Sequence, residues 1–305
     1  MTKSELKSLI KAGETLELND EARKKYSGSY IELPQGMTHY EMTGSGEAVV
    51  LVHGYSTPYF VYDKLYARFA QLGYKVIRYD LYGRGFSDRP GGKHDQSFFA
   101  TQLKELTDKL LEGEKFILVG TSMGCAVSAY FCKMFPGRVK QLILLAPAGM
   151  DTFKAPFYMK LCAVKGVGGF IFNLIGDRAL IGGTTGELYH CSEEEKDYYT
   201  RNFAESCKYK GYLKCTLSSL RYTILNTAKS MEGYRAVAEQ GLPVLAIWGD
   251  IDKTMPYYQH ERLLETCPQT ELHTFEGFGH MFLFDDGKKT MDVIEDYLDR
   301  CREEN

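Results

Sequence analysis

Short apolar runs alternate with longer segments of helical period along most of the chain, and this alternation constrains the fold more than any other feature. The runs are rich in Val, Ile, Leu, Phe and Tyr, as buried strands are, and they span residues 48–54, 74–80, 115–120, 139–149, 243–250 and 270–277. Helices are predicted at 61–72, 98–111, 123–135, 257–266 and 290–302. This order predicts an α/β protein with a mostly parallel sheet flanked by helices. Two strands, 29–34 and 37–44, are predicted to begin the sheet after a leading helix over residues 4–24.

The alternation stops between about residues 150 and 240, where the chain is helical, interrupted by glycines and rich in tyrosine. Because this insertion follows one strand and precedes another, it is expected to cover the carboxyl edge of the sheet, where open α/β sheets bind ligands. We therefore predict a core in two parts, residues 1–149 and 239–305, and a helical cap, or lid, over residues 150–238. Its large apolar residues are expected to form mainly the cap's own core, with a few facing the site; they include Phe157, Met159, Leu161, Phe170, Phe172 and Leu174.

Charge and composition limit the partners. The formal net charge of the 305-residue chain is only −3, so no basic field would attract nucleic acid. The most apolar stretch, 155–176, is divided by Lys160 and Lys165, so its uncharged runs are too short to span a bilayer. Contact between the cap and lipid is a separate hypothesis. The N-terminus is charged and the eight cysteines form no CxxC pair, which favours a cytoplasmic location. The oligomeric state is left open.

A single serine lies between two glycines where a predicted strand gives way to a predicted helix. The segment reads Gly120-Thr121-Ser122-Met123-Gly124. A serine hydroxyl is a weak nucleophile, so acyl transfer requires it to be exposed on a sharp turn beside a base and near backbone N–H groups. The flanking glycines permit such a turn. The alternative is that Ser122 only caps the following helix, a common role for serine.

An acid and a base follow later strands. Asp250 and Asp252 come directly after the strand at 243–250, and His280 lies in a glycine-rich loop after the last strand. The order Ser, Asp, His is the order in which α/β-hydrolases supply a catalytic triad. In such a triad the histidine takes the serine proton and the aspartate fixes the imidazole tautomer.

Four groups of residues resemble the motifs of an α/β-hydrolase of the lid-bearing esterase and monoacylglycerol-lipase type, over about residues 30–302 without the insertion. They are "LVHGYSTP", "DLYGRGFSDRP", "GTSMG", and "GDIDKTMP" with "GFGH". The resemblance implies the α/β-hydrolase fold and a Ser122–His280–Asp252 triad. It makes Asp250 a turn residue and leaves Asp151 as a minor alternative acid. Gly120 and Gly124 become the glycines of the nucleophile elbow.

The same resemblance implies an oxyanion hole made by the backbone N–H groups of Tyr55 and Met123, with His53 in a structural role. It implies a serine hydrolase that cleaves carboxylic esters, either acylglycerols or other esters of small to medium acyl groups with an apolar character, and that needs neither a metal nor an organic cofactor. Carbon–carbon bond hydrolases of aromatic ring-cleavage products are the nearest alternative, although these usually have Trp after the histidine, where this chain has Met281. Arg178 is a candidate for the carboxylate contact that such an enzyme requires. A further alternative is a ligand-binding receptor of the same fold that keeps the triad but turns its ligand over slowly.

Overall fold

A computed structural model describes residues 13–303, except for the side chains of residues 175, 177 and 178. Its centre is one eight-stranded sheet in the order β1-β2-β4-β3-β5-β6-β7-β8. The strands are β1 (Ser29–Leu33), β2 (Gly36–Thr43), β3 (Ala48–Val52), β4 (Lys75–Tyr79), β5 (Phe116–Thr121), β6 (Val139–Leu145), β7 (Val244–Gly249) and β8 (Thr270–Phe275). Every predicted strand is present.

Strand direction places the carboxyl ends of six strands at one edge. β2 runs antiparallel to both β1 and β4, whereas all neighbours from β4 to β8 are parallel. Every residue of β3, β5 and β7 is buried, because helices cover both faces of the sheet at these strands. The predicted α/β architecture, a mostly parallel sheet flanked by helices, is confirmed.

The helices follow the predicted pattern in the core and fill the insertion. They are α1 (Asp20–Arg23), α2 (Asp63–Gln71), α3 (Gln96–Leu111), α4 (Met123–Met134), α5 (Phe157–Ala163), α6 (Val167–Thr185), α7 (Glu193–Cys207), α8 (Tyr212–Ser219), α9 (Thr227–Glu239), α10 (Gln259–Thr266), α11 (Phe282–Asp285) and α12 (Gly287–Glu303). A 3₁₀ turn precedes α2 at Tyr59–Tyr62, and a π-helical turn, Leu220–Ile224, follows α8.

The predicted leading helix is wrong for residues 13–19, and residues 4–12 lie outside the described part. Gly13 has φ +61°, and Leu16 forms a parallel bridge to Tyr209, so the backbone there is tied to the insertion instead of to a helix of its own. Helix α1 begins only after Asn19, whose side chain accepts a hydrogen bond from the N–H of Ala22.

Helices of the insertion contact the carboxyl edge of the sheet. The hydroxyl of Tyr199 on α7 lies 2.7 Å from that of Thr57, and the hydroxyl of Tyr212 on α8 donates to the carbonyl of Ser56. Helix α9 instead packs on core helix α4, so closely that a Cβ at Gly233 would lie 2.6 Å from the backbone N of Tyr130. The domain limits, including the cap at 150–238, stay a prediction. Helix α9 falls almost entirely within the predicted cap, yet it packs on the core.

Candidate active site

Ser122 occupies a sharp turn between β5 and α4. Its backbone has φ 54° and ψ −119°. Residues other than glycine rarely adopt this conformation, and those that do are concentrated at functional sites. The turn has no room for larger neighbours, because a Cβ at Gly120 would lie 2.8 Å from the backbone of Gly124 and one at Gly124 would overlap the carbonyl of Val52. Ser122 stands at the N-cap position of α4, but its side chain makes no capping hydrogen bond. The geometry therefore favours the nucleophile hypothesis over the capping alternative.

His280 and Asp252 form a buried hydrogen-bonded pair. The imidazole Nδ1 lies 2.7 Å from Oδ2 of Asp252, and both residues are about 5% exposed. The other carboxylate oxygen of Asp252 accepts from the N–H groups of Thr254 and Met255, at 2.8 and 2.7 Å, which fixes the carboxylate. Burial lowers the pKa of His280, but the charge and hydrogen bond of Asp252 outweigh it and, with a contribution from Glu187, leave that pKa raised above its ordinary value.

The two other candidate aspartates lie elsewhere. Asp250 accepts a hydrogen bond from the N–H of Gly277 at 2.7 Å, as a turn residue would. Asp151 forms an ion pair with Arg262 at 2.8 Å, in which both side chains are about one-third exposed. Of the three carboxylates, only that of Asp252 is hydrogen-bonded to His280.

Ser122 and His280 open on one cavity of about 700 Å³, within the size range of small-molecule sites. The core contributes Gly54, Tyr55 and Met281 to its wall, and the cap contributes side chains that are mostly apolar, including Met159, Leu161, Cys162, Ile171, Phe172 and Leu180. Three of the six cap residues singled out from the sequence thus face the site. The other three, Phe157, Phe170 and Leu174, are exposed by 80%, 74% and 67% and belong to neither the cavity wall nor a cap core.

The loop that follows β3 packs against the nucleophile turn. A Cβ at Gly54 would lie 3.2 Å from Cβ of Ser122. Tyr55 is the next residue along the chain, so its backbone N–H lies close to the serine. His53 is fully buried, and its Nε2 accepts from the N–H of Leu81 at 2.9 Å; burial lowers its pKa to about 4, so it stays neutral and structural. Met123 is the first residue of α4, where backbone N–H groups point toward bound or developing negative charge.

A family model described as a hydrolase family, serine aminopeptidase S33, matches residues 45–287. The chain belongs to this family. Together with the sheet described above, this makes it a hydrolase of the α/β-hydrolase superfamily, and the predicted fold is confirmed.

Individual relatives of this S33-family hydrolase are distant. An uncharacterized protein of Mycobacterium bovis is 24% identical over 284 residues, which cover 85% of this chain and 77% of that protein. A 2-hydroxy-6-oxononadienedioate/2-hydroxy-6-oxononatrienedioate hydrolase of Burkholderia vietnamiensis is 26% identical over 92% of this chain and 97% of its own. The solved structure of an esterase from Exiguobacterium antarcticum superimposes with a TM-score of 0.75 at 20% identity, covering 90% of this chain and all of that one. This last likeness concerns the fold alone.

Glu187 is a site residue that sequence reasoning missed. It follows α6 in the cap, is 4% exposed and lines the same cavity as Ser122. Its carboxylate accepts from the backbone N–H groups of His280 and Lys253, both at 3.2 Å. No motif marks Glu187, because its partners are backbone groups of loops far away in the sequence.

Three further matters are a metal site, a membrane-spanning helix and the side chain of Arg178. Among residues 13–303 there is no group of three or more His, Cys, Asp or Glu side chains placed to hold a metal ion, and none of the helices within that range is long and apolar enough to cross a membrane. The side chain of Arg178, the candidate for a carboxylate contact, lies outside the described part.

Proposed function

We propose that this S33-family hydrolase cleaves carboxylic esters by serine catalysis. The observation that carries the proposal is the convergence of a serine on a strained turn and a buried His280–Asp252 pair on one mostly apolar cavity. A nucleophile and an oriented base that share a cavity are the two parts that acyl transfer requires. A receptor of the same fold that keeps the triad but turns over slowly is the alternative, and rapid burst release from an activated ester separates the two classes.

In the proposed mechanism, Ser122 Oγ attacks the ester carbonyl carbon while His280 Nε2 takes the hydroxyl proton. The carbonyl oxygen becomes an oxyanion that accepts from the backbone N–H groups of Tyr55 and Met123. His280 then gives its proton to the leaving alcohol as the carbon–oxygen bond breaks, and an acyl-enzyme forms on Ser122. Water, deprotonated by His280, attacks the acyl carbon, and the imidazolium returns its proton to Ser122 Oγ as the bond to the serine breaks and the acid is released. Asp252 holds the imidazole and stabilises its charged form throughout.

The cavity wall supports an apolar acyl group. The cap supplies side chains such as Met159, Ile171 and Phe172, which favour a hydrocarbon chain over a polar one. A carbon–carbon bond hydrolase is a second candidate, because a relative that is 26% identical carries that activity in its name. Against it, Met281 follows His280 and lies in the cavity wall, where such enzymes usually have Trp.

A substrate panel tests the proposal. We expect p-nitrophenyl esters from acetate to palmitate to be hydrolysed with an optimum at a medium or long chain, because the cavity of about 700 Å³ has room for more than an acetyl group. A monoacylglycerol, an aromatic ring-cleavage dienoate and an amino-acid p-nitroanilide complete the panel, measured by steady-state kinetics. Cleavage of the dienoate alone would move the protein to the carbon–carbon hydrolases, and cleavage of the anilide alone to the aminopeptidases. No turnover of the p-nitrophenyl esters, the monoacylglycerol, the dienoate or the anilide would contradict the proposal.

We further propose that the outer face of the cap makes transient contact with lipid. Large exposed apolar side chains that do not line the cavity are concentrated on α5, α6 and the turn between them: Phe157, Val164, Val167, Phe170 and Leu174. The segment 152–176 also carries three lysines and neither Asp nor Glu, a charge that suits anionic headgroups.

Sedimentation with vesicles of phosphatidylcholine and phosphatidylglycerol tests this contact. Phe170→Ser is expected to weaken binding about tenfold, since it removes most of one exposed aromatic side chain from the contact. Leu72→Ser is the matched control, because Leu72 is an exposed apolar residue at the end of α2, outside the cap. Wild-type protein that stays in the supernatant would contradict the proposal.

A further inference from the structure

The Glu187 carboxylate connects the cap to both loops that carry the predicted acid and base. Its Oε2 accepts from the N–H of His280 itself, and its Oε1 accepts from the N–H of Lys253, the residue directly after Asp252. The hydroxyl of Thr254 lies 3.5 Å from the same Oε1. One side chain of the cap therefore holds the acid loop and the base loop at the same time.

The segment around Glu187 is itself held against the core. The carboxylate of Asp285 on α11 accepts from the N–H groups of Tyr189 and Cys191, at 2.8 and 3.3 Å. Gly279, just before His280, has no room for a Cβ, because Glu187 and Tyr189 already occupy that space. The position of the Glu187 carboxylate is thus fixed on the cap side and on the side of the His280 loop.

The charge of Glu187 acts on the same pair. Burial raises the pKa of Glu187, and so does the nearby Asp252 carboxylate, while its hydrogen bonds to backbone N–H groups and the charge of His280 lower that pKa in part. Glu187 in turn contributes to the raised pKa of His280, after burial, which lowers it, and Asp252, which is the larger raising influence. The other charged group beside Glu187 is Lys253, whose Nζ lies over the ring of Tyr189, 5.5 Å from its centroid.

We propose that Glu187 is a positioning residue, which fixes the His280 and Asp252 loops relative to each other and supports the imidazolium that forms during catalysis. The inference rests on the proposed serine hydrolase function. Its carboxylate contacts the backbone N–H of His280, whereas the ring Nδ1 of His280 is hydrogen-bonded to Asp252. A neutral side chain at 187 would lose both contributions, because an amide nitrogen would oppose one of the two backbone N–H donors and no charge would remain.

The test is Glu187→Gln, assayed with p-nitrophenyl butyrate across pH 5 to 9. We expect kcat to fall about tenfold to a hundredfold with KM changed less than about threefold, the range for losing charge-assisted hydrogen bonds that orient a base. We also expect the acidic limb of kcat/KM to move to lower pH, because neutral His280 is the active form and the lost charge lowers its pKa. A merely structural role would lower activity and leave that limb unmoved. Glu193→Gln, at an exposed carboxylate that pairs with Lys196 on α7, is the matched control and should match wild type.

Glu187→Asp keeps the inference testable if the glutamine variant does not fold. It retains the charge but withdraws the carboxylate by one methylene, so kcat should fall while KM, Tm and the acidic limb stay at wild-type values, whereas a merely structural role would lower Tm together with kcat. Wild-type kcat and pH profile in either variant would overturn the inference. Failure of the proposed function would look different, because wild-type protein would then not hydrolyse the ester, or Ser122→Ala would hydrolyse it equally well.

Discussion

Replacing Ser122 with alanine is expected to lower kcat for ester hydrolysis by at least about a thousandfold. The substitution removes the oxygen that would form the acyl-enzyme, while the cavity, the His280–Asp252 pair and the backbone donors stay in place. The residual rate would come from binding and the oxyanion hole alone. Steady-state kinetics with the best p-nitrophenyl ester of the panel measures this loss. Alanine bears the same backbone strain as serine at this turn, and the Ser122 side chain makes no capping hydrogen bond, so Ser122→Ala should fold as wild type does.

Ser128→Ala is the matched control for this experiment. Ser128 lies on the same helix, α4, is fully buried, and its hydroxyl has no hydrogen-bond partner among the described residues. Its removal should therefore leave kcat at the wild-type value. Near wild-type turnover by Ser122→Ala would contradict the serine mechanism, and a burst of p-nitrophenol from wild type, absent in the variant, would identify the acyl-enzyme directly.

The strands were predictable because burial on both faces leaves a simple record in the sequence. The runs that became β3, β5 and β7 are apolar at nearly every position, and all their residues are buried. Ser122, Asp252 and His280 lie beyond β5, β7 and β8, three parallel strands that end at the same edge of the sheet. Local pattern was sufficient here because each of these residues lies in a loop that directly follows a strand predictable from its own run of residues.

The cap was predictable only as a helical insertion. Helix α6 is apolar on most sides, so its pattern does not say which residues face the cavity, and Phe172 and Phe170, two positions apart, end on opposite sides. Glu187 could not be found because its partners are the backbone N–H groups of Lys253 and His280, 66 and 93 residues away. The error at residues 13–19 has the same origin, since Leu16 pairs with Tyr209 of the insertion. In each case contacts distant in sequence decide the local structure.

Replacing Asp252 with asparagine is expected to lower kcat by about a thousandfold or more, while the fold is kept. The new amide oxygen can still accept from the N–H groups of Thr254 and Met255, which now hold one carboxylate oxygen. The amide nitrogen would then face His280 Nδ1 and donate to it, which forces the ring proton onto Nε2, the atom that must accept the serine proton. Loss of the Asp252 charge also removes the main influence that raises the pKa of His280, so the remaining activity should extend to lower pH.

The pH profile of kcat/KM for an ester substrate measures both effects, and Asp151→Asn provides the matched control. Asp151 is the other carboxylate that the family resemblance allowed as the acid, and the same substitution there only weakens a partly exposed ion pair with Arg262. Asp151→Asn should therefore retain wild-type kcat and an unshifted profile. The reverse result, with Asp151→Asn inactive and Asp252→Asn active, would assign the acid to the loop after β6 and require the cavity to rearrange before catalysis.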